Sequence, residues 1–434
     1  MAIIKDPNSI PDTGGIQPIR TDGWPKGMNN VMPDYALPDG TLRDAVNVDI
    51  NDAGKVRRRD GRTQVYSGTN VRGLWRGAGR TLFAEGAELK QLNADFTAST
   101  LAVGLATYKH PSFVEVNGEI YWSDGVSASG TIRPDGTVSI WGIPVGPKPT
   151  CVPLTGGGLP GGTYRVTTAY VMDTGEEGGN DESFGAVVQN NGSMLVTGIP
   201  ATAPHPHITK FNVYVTLQNG DVFYLYGTYP IGVTSVTIVP TSSLSSVMSA
   251  WFQYPYPFPP CDHLEYYRGR IFGANGKFVY FSTAMRYRQT SLDKYFYMFE
   301  SDVTMVKAVP DGLYIADSEA TYWLSGGDKD EPGDYIKRQV LPYPVTPGTA
   351  ISIPNSTDVA WLSTRGWCIG SAGGKVENRM EGNVVPSQRY ETGAAMFREN
   401  DSLRQLVSAV QGGTEANSLR ATDFVEAEVV RSFG

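Results

Sequence analysis

Five segments of the chain repeat one local form, a glycine opening a short apolar or aromatic run: GRTLFAEG from Gly79, GEIYWSDG from Gly118, GRIFGANG from Gly269, GLYIADSEATYWL from Gly312 and GWCIGSAGG from Gly366. Glycine supplies the positive φ that a tight turn wants, and the run that follows suits an inner strand, so each segment reads as the turn and second strand of a hairpin. Successive glycines lie 39, 43 and 54 residues apart where the series is regular, close to the ~40–50 residues of a four-stranded propeller blade. The interval from Gly118 to Gly269 is 151 residues. Subtracting one blade leaves roughly 108, the size of a small β-sandwich, so the series predicts a propeller of about five blades with one inserted domain.

The insertion has its own signals. KPTCVPLTGGGLPGGT, from Lys148 to Thr163, reads as a Pro/Gly-rich connector, and TYRVTTAYVMD then alternates with Tyr164, Val166, Thr168 and Tyr170 on one face. KFNVYVTLQNGDVFYLYGTY is a hairpin turning at Asn219-Gly220, and TSVTIV supplies a further strand. The expected module is a fibronectin type III-like or immunoglobulin-like sandwich. QYPYPFPPCD, from Gln253 to Asp262, returns the chain to the propeller. The stretch from Gln388 to Gly413 reads as a helix, with Leu403, Leu406 and Val407 at helical spacing and Gly412-Gly413 as a stop, and Ala421 to Phe433 reads as a closing strand. The organisation is therefore an N-terminal arm and basic hairpin (1–70), a first propeller part (71–147), the sandwich (148–252), a second propeller part (253–387) and a C-terminal helix and strand (388–434). The class is mostly β, in keeping with 23 Tyr, 16 Phe and many Val and Thr.

Chemistry is sparse. His205 and His207 in PHPHI share a side if extended, but no Cys, Asp or Glu stands at ligand spacing in the sequence. LTGGGLPGG lacks the Lys of a phosphate-binding loop, since Thr163 follows Gly162. Asp124, Asp135, Asp311 and Asp317 sit in turns, where Asp bonds the backbone, and DGTVSIW lacks the Ser of a sialidase Asp-box. No catalytic residue, cofactor or metal ligand is expected. Trp75, Trp122, Trp141, Trp323, Trp361 and Trp367 fall in or near the blades, where large rings fill the wedge between sheets or, alternatively, stack on sugars. The net charge of −8 argues against a tight sequence-specific DNA binder. The N-terminus has no basic segment followed by an apolar run, no stretch approaches 18 apolar residues, and Cys151, Cys261 and Cys368 suit buried thiols, so synthesis in a reducing cytosol is expected.

Against that acidic background the hairpin near the start is basic. LPDG (Leu37 to Gly40) is a turn, AVNVDI (Ala45 to Ile50) alternates with Val46, Val48 and Ile50 on one face, NDAG is a loop, and Lys55-Val56-Arg57-Arg58-Arg59 returns. A lone hairpin is marginal in water, so it must pack on its own propeller or on another subunit.

The stretch ALPDGTLRDAVNVDINDAGKVRRRDGRTQVYSG, under a tenth of the chain, resembles the start of bacteriophage tail nozzle proteins, also called tail tubular protein B. GTYRVTTAYV and VYVTLQNGDVFYLYGTYP resemble, more loosely, the fibronectin-like segment of similar virion proteins. The resemblance implies a structural virion protein: a homo-hexameric ring at the distal end of a viral tail, made in the host bacterial cytoplasm, below an adaptor ring and beside other tail proteins or fibres. It implies a lumen that conducts DNA during ejection through transient contact and a gate formed by blade loops. Many nozzle proteins are longer, which leaves a related hub of another tail type open. An acidic molecule suits a conduit that must not hold DNA, so Arg57, Arg58 and Arg59 are expected to meet carboxylates of a neighbouring chain as subunit-interface residues. The other readings are a carbohydrate- or receptor-binding tail module and a propeller glycosidase.

Overall fold

The computed structural model describes residues 23–46, 48–51, 53–59, 61, 63–180, 184–240, 256–327, 335–384, 386, 390–400, 403–412 and 425–430. The fold is a β-propeller with an inserted β-sandwich, and among the described residues the only helices are two 3-10 turns, Asp34–Ala36 and Ala372–Gly374.

Five four-stranded antiparallel sheets form the blades. Blade 1 is Val71–Gly77, Arg80–Glu85, Glu88–Leu92 and Ala98–Val103. Blade 2 is Ser112–Val116, Glu119–Ser123, Ser129–Ile132 and Val138–Ser139. Blade 3 is His263–Tyr267, Arg270–Asn275, Phe278–Phe281 and Phe296–Met298. Blade 4 is Val303–Val309, Gly312–Asp317, Thr321–Gly326 and Tyr335–Leu341. Blade 5 is Ile351–Ser352, Val359–Ser363, Gly366–Ser371 and Lys375–Asn378.

The repeat found in the sequence is real, and its irregularity has a cause. In blades 1 to 3 the glycine is the second residue of a two-residue turn, Ala78-Gly79, Asn117-Gly118 and Arg268-Gly269, with positive φ at both positions. That is the turn whose twist matches paired strands. Gly312 instead follows a Pro310-Asp311 turn and is needed for space: a Cβ there would meet the Trp323 ring at 2.5 Å. Gly366 begins the third strand of blade 5, one strand later than the glycines of the other blades, and the long last interval follows.

Each blade packs on the next through an apolar layer. Leu82, Ala84 and Leu89 of blade 1 meet Phe113, Ile120 and Trp122 of blade 2. Val114 and Tyr121 meet Leu264 and Ile271 of blade 3. Phe272 and Phe281 meet Leu313 and Leu324 of blade 4, and Tyr314 and Trp323 meet Trp361 and Cys368 of blade 5. Blade 5 then packs, through Ala360, Leu362, Trp367 and Ile369, on Leu406 and Val410 of a C-terminal sheet. At about 25 cal/mol per Å² of apolar surface, these layers are the main source of stability.

The C-terminal sheet corrects one expectation. The segment read as a helix is a hairpin, Tyr390–Asn400 paired with Leu403–Gly412, joined by a third strand, Val425–Val430. Leu406, Ser408 and Val410 are buried at a period of two, against blade 5. Burial there outweighs helix propensity, which is a weak local preference. The last strand exists but lies in this separate sheet, not in one of the four-stranded blades.

The sandwich packs a three-stranded sheet, Thr150–Leu159, Gly192–Thr197 and Val236–Ile238, on a four-stranded one ordered Phe184–Val188, Gly162–Met172, Ile208–Thr216, Phe223–Pro230. Tyr164, Val166, Tyr170, Val196, Phe211 and Val213 fill its core. The stretch read as a connector is its first strand: Thr150–Leu159 is an edge strand, which tolerates Pro153, and its glycines carry a register shift between Thr155 and Leu159. The Asn219-Gly220 hairpin forms as read, with Asn219 at φ 55. The expected end of the domain, 241–252, lies outside the described residues, as do residues 1–22 of the arm.

Candidate assembly site

The hairpin pairs Val48–Ile50 with Val56–Arg58, placing Asp49 opposite Arg57 and Val48 opposite Arg58. Its tight return depends on Gly54, at φ 75, whose carbonyl accepts from the Trp24 N–H at 2.7 Å; a Cβ there would meet the Pro25 nitrogen at 2.3 Å. Side chains alternate across a strand, so Asp49 and the valines face opposite ways.

The charged face is the buried one. The Asp49 side chain is 0% exposed and lies 3.4 Å from both Arg59 Nε and Arg398 Nη1. Arg398 belongs to the C-terminal hairpin, so the hairpin packs on its own chain at that point. The arm adds further ties: Asn30 N–H donates to the Asn383 carbonyl, Asn29 bonds the Asn383 side chain, and Met28 joins the cluster between blade 5 and the C-terminal sheet. Downstream, Tyr66 stacks edge-on against Phe83 of blade 1 and donates to Glu85, which also accepts from Lys90. Those donors hold the Glu85 carboxyl down at about 2, with the Lys90 bond the largest cause. The arm thus binds the last sheet of the chain at one end and the first blade at the other.

The opposite face of the hairpin is apolar and open. Val56 is exposed, Val48 and Ile50 are half-buried, and Val46 just before them is 78% exposed. Arg58, opposite Val48, is exposed on this face, while Arg57, opposite Asp49, is exposed on the other and Arg59 is half-buried at Asp49. Arg59 thus meets a carboxylate of its own chain. Tyr35, at 92%, and Val31 extend the exposed apolar surface along the arm.

A second polar cluster seats the sandwich on the propeller. Arg288, after blade 3's third strand, has a side chain only 3% exposed and reaches Glu119 of blade 2 at 2.5 Å and Glu176 of the sandwich at 2.7 Å. It also donates to the Ile140 and Trp141 carbonyls. Arg133 of blade 2 forms a two-pronged pair with Asp173 of the sandwich, at 2.7 and 3.1 Å, and holds its carboxyl well below the usual range. Beside these groups lies a charged cleft of about 350 Å³ lined by Glu119, Arg133, Asp135, Thr174, Glu176 and Arg288. Its two arginines are engaged by Glu119, Glu176 and Asp173, so the arrangement fastens two domains together.

The remaining candidates resolve as structure. Asp124 accepts from the N–H groups of Val126, Ser127 and Ala128, Asp135 from Thr137, Asp317 from Glu319 and Ala320, and Asp311 from Gly373. Trp122, Trp141, Trp323, Trp361 and Trp367 are all buried, which leaves these five rings no open face for a sugar, and Trp75 is half-buried, stacked on Phe113. His205 and His207 stack at 5.4 Å, with His207 on Asp173 at 2.7 Å. Among the described residues no group of three or more His, Cys, Asp or Glu is placed to hold a metal. Cys261 and Cys368 are buried, Cys151 is half-buried, and all three are free thiols. Asp49, Arg398, Arg288 and Asp173 escaped sequence reasoning because their partners are far away in the chain, and no local motif marks them.

No family model matches the chain, and no curated protein matches it. Solved structures match at low similarity: the N-terminal domain of Nup159, at 9% identity, TM-score 0.29, 78% of this chain and 72% of that one; and PorZ of Porphyromonas gingivalis, described as a surface component of the type-IX secretion system, at 9% identity, TM-score 0.24, 80% of this chain and 44% of that one. The propeller assignment rests on the chain's own five blades.

Proposed function

We propose that this chain is a structural ring protein of a phage tail, of the nozzle type, in which copies associate through the N-terminal hairpin and leave a lumen for DNA. The observation that carries this reading is the inverted hairpin: it buries Asp49 against its own C-terminal sheet and leaves Val46 and Val56 exposed and Val48 and Ile50 half-buried on its other face, beside the exposed Arg58. An apolar face with a cation beside it suits contact with another polypeptide better than with solvent. The resemblance of Ala36 to Gly68 to nozzle proteins names that polypeptide as a second copy or an adaptor ring above it. The mechanism is passive: the propeller and sandwich are held rigid by Arg288 and Arg133, and an acidic chain forms a wall that does not retain DNA.

The test is sedimentation of the full chain and of its Val56→Glu/Arg58→Glu variant. Arg57 and Arg59 are left intact, because they lie on the Asp49 face and Arg59 contacts Asp49 within the chain. The reading expects an oligomer that the double variant converts to folded monomer. An oligomer unchanged by the variant would remove the hairpin from the interface.

A further inference from the structure

Two turns, one in blade 1 and one in blade 2, are built alike and differ at the residue that matters most. In blade 1, Asn93 to Thr97 joins the third strand to the fourth: the Asn93 N–H donates to the Thr97 carbonyl at 2.8 Å, the Phe96 N–H to the Asn93 carbonyl at 3.0 Å, and the Thr97 N–H to Asp95 Oδ1 at 3.1 Å. In blade 2, Arg133 to Thr137 repeats the three bonds at 2.9, 2.8 and 2.8 Å, the last to Asp135. Such a turn needs one residue in the left-handed region, and blade 2 places Gly136 there, at φ 91. Blade 1 places Phe96 there, at φ 64, where a bulky side chain is strained. The ring is 50% exposed. Backbone strain kept for an exposed ring points to a use outside the chain's own core. The polar side chains of the tip are turned inward: Asn93 Nδ2 donates to the Thr97 and Ser99 hydroxyls at 3.0 Å, and the Thr97 hydroxyl donates to Asp95 Oδ1 at 2.7 Å, which holds the Asp95 carboxyl below its usual range. A sugar stacked on Phe96 would find those groups already bonded to one another, and a nucleic acid would meet a negative charge. An apolar protein surface bearing a cation suits the tip.

We propose that the Asp95-Phe96 tip of one copy docks on the hairpin face of the next, with Phe96 over Val46 and Val56 and Asp95 toward Arg58. This rests on the reading of the hairpin as an assembly contact and gives that contact its other half, because a closed ring of more than two identical copies joins two different surfaces. The two surfaces match in chemistry. Val46 is 78% exposed and Val56 36% exposed. Arg58 is exposed and engages no carboxylate among the described residues, and Asp95 brings a carboxylate beside the ring. An aromatic anchor on an apolar seat with a charge pair at its rim concentrates binding in few residues.

The experiment places p-benzoylphenylalanine at position 96 of the full chain, irradiates it and maps the adducts by mass spectrometry, beside sedimentation of Phe96→Gly, Asp95→Asn and Val56→Glu/Arg58→Glu. The expected adduct joins two chains and falls within residues 46–58. Phe96→Gly relaxes the turn, so the separated chain should melt no lower than the wild type, while self-association weakens about thirtyfold, the scale of a lost aromatic anchor. Asp95→Asn keeps the turn's acceptor and should weaken association about threefold, an effect that fades at high salt. An oligomer whose adducts fall elsewhere, or that Phe96→Gly leaves unchanged, would overturn this docking alone if Val56→Glu/Arg58→Glu still disperses it. A single chain at every concentration would overturn the hairpin contact as well. A separated Phe96→Gly chain that melts several degrees lower would show that the ring serves its own blade, and that too would overturn the proposal.

Discussion

Replacing Arg288 with Met tests most sharply how the two domains are held together. Methionine keeps much of the side chain's length and apolar stem while removing the charge and every donor. In the structure that guanidinium reaches Glu119, whose side chain is 20% exposed, Glu176, which is 44% exposed, and two backbone carbonyls. The Glu176 pair is open enough to water to contribute under about 1 kcal/mol. Glu119 is different, because removing its partner leaves a largely buried carboxylate uncompensated, for which about 3–5 kcal/mol is the usual loss. Tyr121 still donates to Glu119 at 2.9 Å and offsets part of that, so we expect about 3 kcal/mol. Trp141 gives the assay its reporter, since it stacks on Phe258 at 4.8 Å and donates to the Tyr287 carbonyl beside Arg288. Urea titration followed by tryptophan fluorescence should show the transition at lower denaturant in the variant. Arg165→Met, which removes an exposed pair with Asp221, should move it by less than about 0.5 kcal/mol. Equal small shifts in both variants would refute the view that Arg288 fastens the sandwich to the propeller.

Other outcomes follow from the same packing. Gly312→Ala should destabilise blade 4 by about 1–3 kcal/mol, because the added methyl meets the Trp323 ring and the Leu324 carbonyl, and thermal denaturation will read it. Trp361→Ala should cost about 3–5 kcal/mol, since the ring is fully buried between blades 4 and 5, again measured by denaturant titration. Glu85 has a folded-state value near 2 against about 4.3 for a free glutamate, so the stabilisation it gives the Tyr66 strap is present above about pH 4.3 and is lost as pH falls toward 2. Glu85→Gln should flatten that acid limb in a pH series of melting temperatures. Asp49→Asn should raise hydrogen exchange across Val48–Ile50 and Val56–Arg58 while leaving blade 3 unchanged, since it removes the anion that meets Arg59 and Arg398.

What the sequence revealed and what it hid divide along the range of the interactions. Turns such as Ala78-Gly79 and Asn117-Gly118 are set by two residues, so the hairpins and the blade period could be read directly. The alternation of Tyr164, Val166 and Tyr170 announced a sandwich strand for the same reason. The region 390–412 misled because Leu403, Leu406 and Val407 fit a helix as well as a strand, and its partner surface on blade 5 decides between them. Thr150–Leu159 misled because proline and glycine are loop residues everywhere except on an edge strand or at a register shift. The hairpin's pairing was legible from Val46, Val48 and Ile50, but its orientation was not. That depends on Arg398, 349 residues from Asp49. Likewise Arg288 lies 169 residues from Glu119 and 112 from Glu176, a triad with no local signature.

Native mass spectrometry of the full chain, with negative-stain imaging of the same sample, addresses assembly most directly. The account predicts a closed ring of six copies around a central pore, dispersed to folded single chains by Val56→Glu/Arg58→Glu. A single chain at every concentration, alone and with an adaptor ring present, would contradict it.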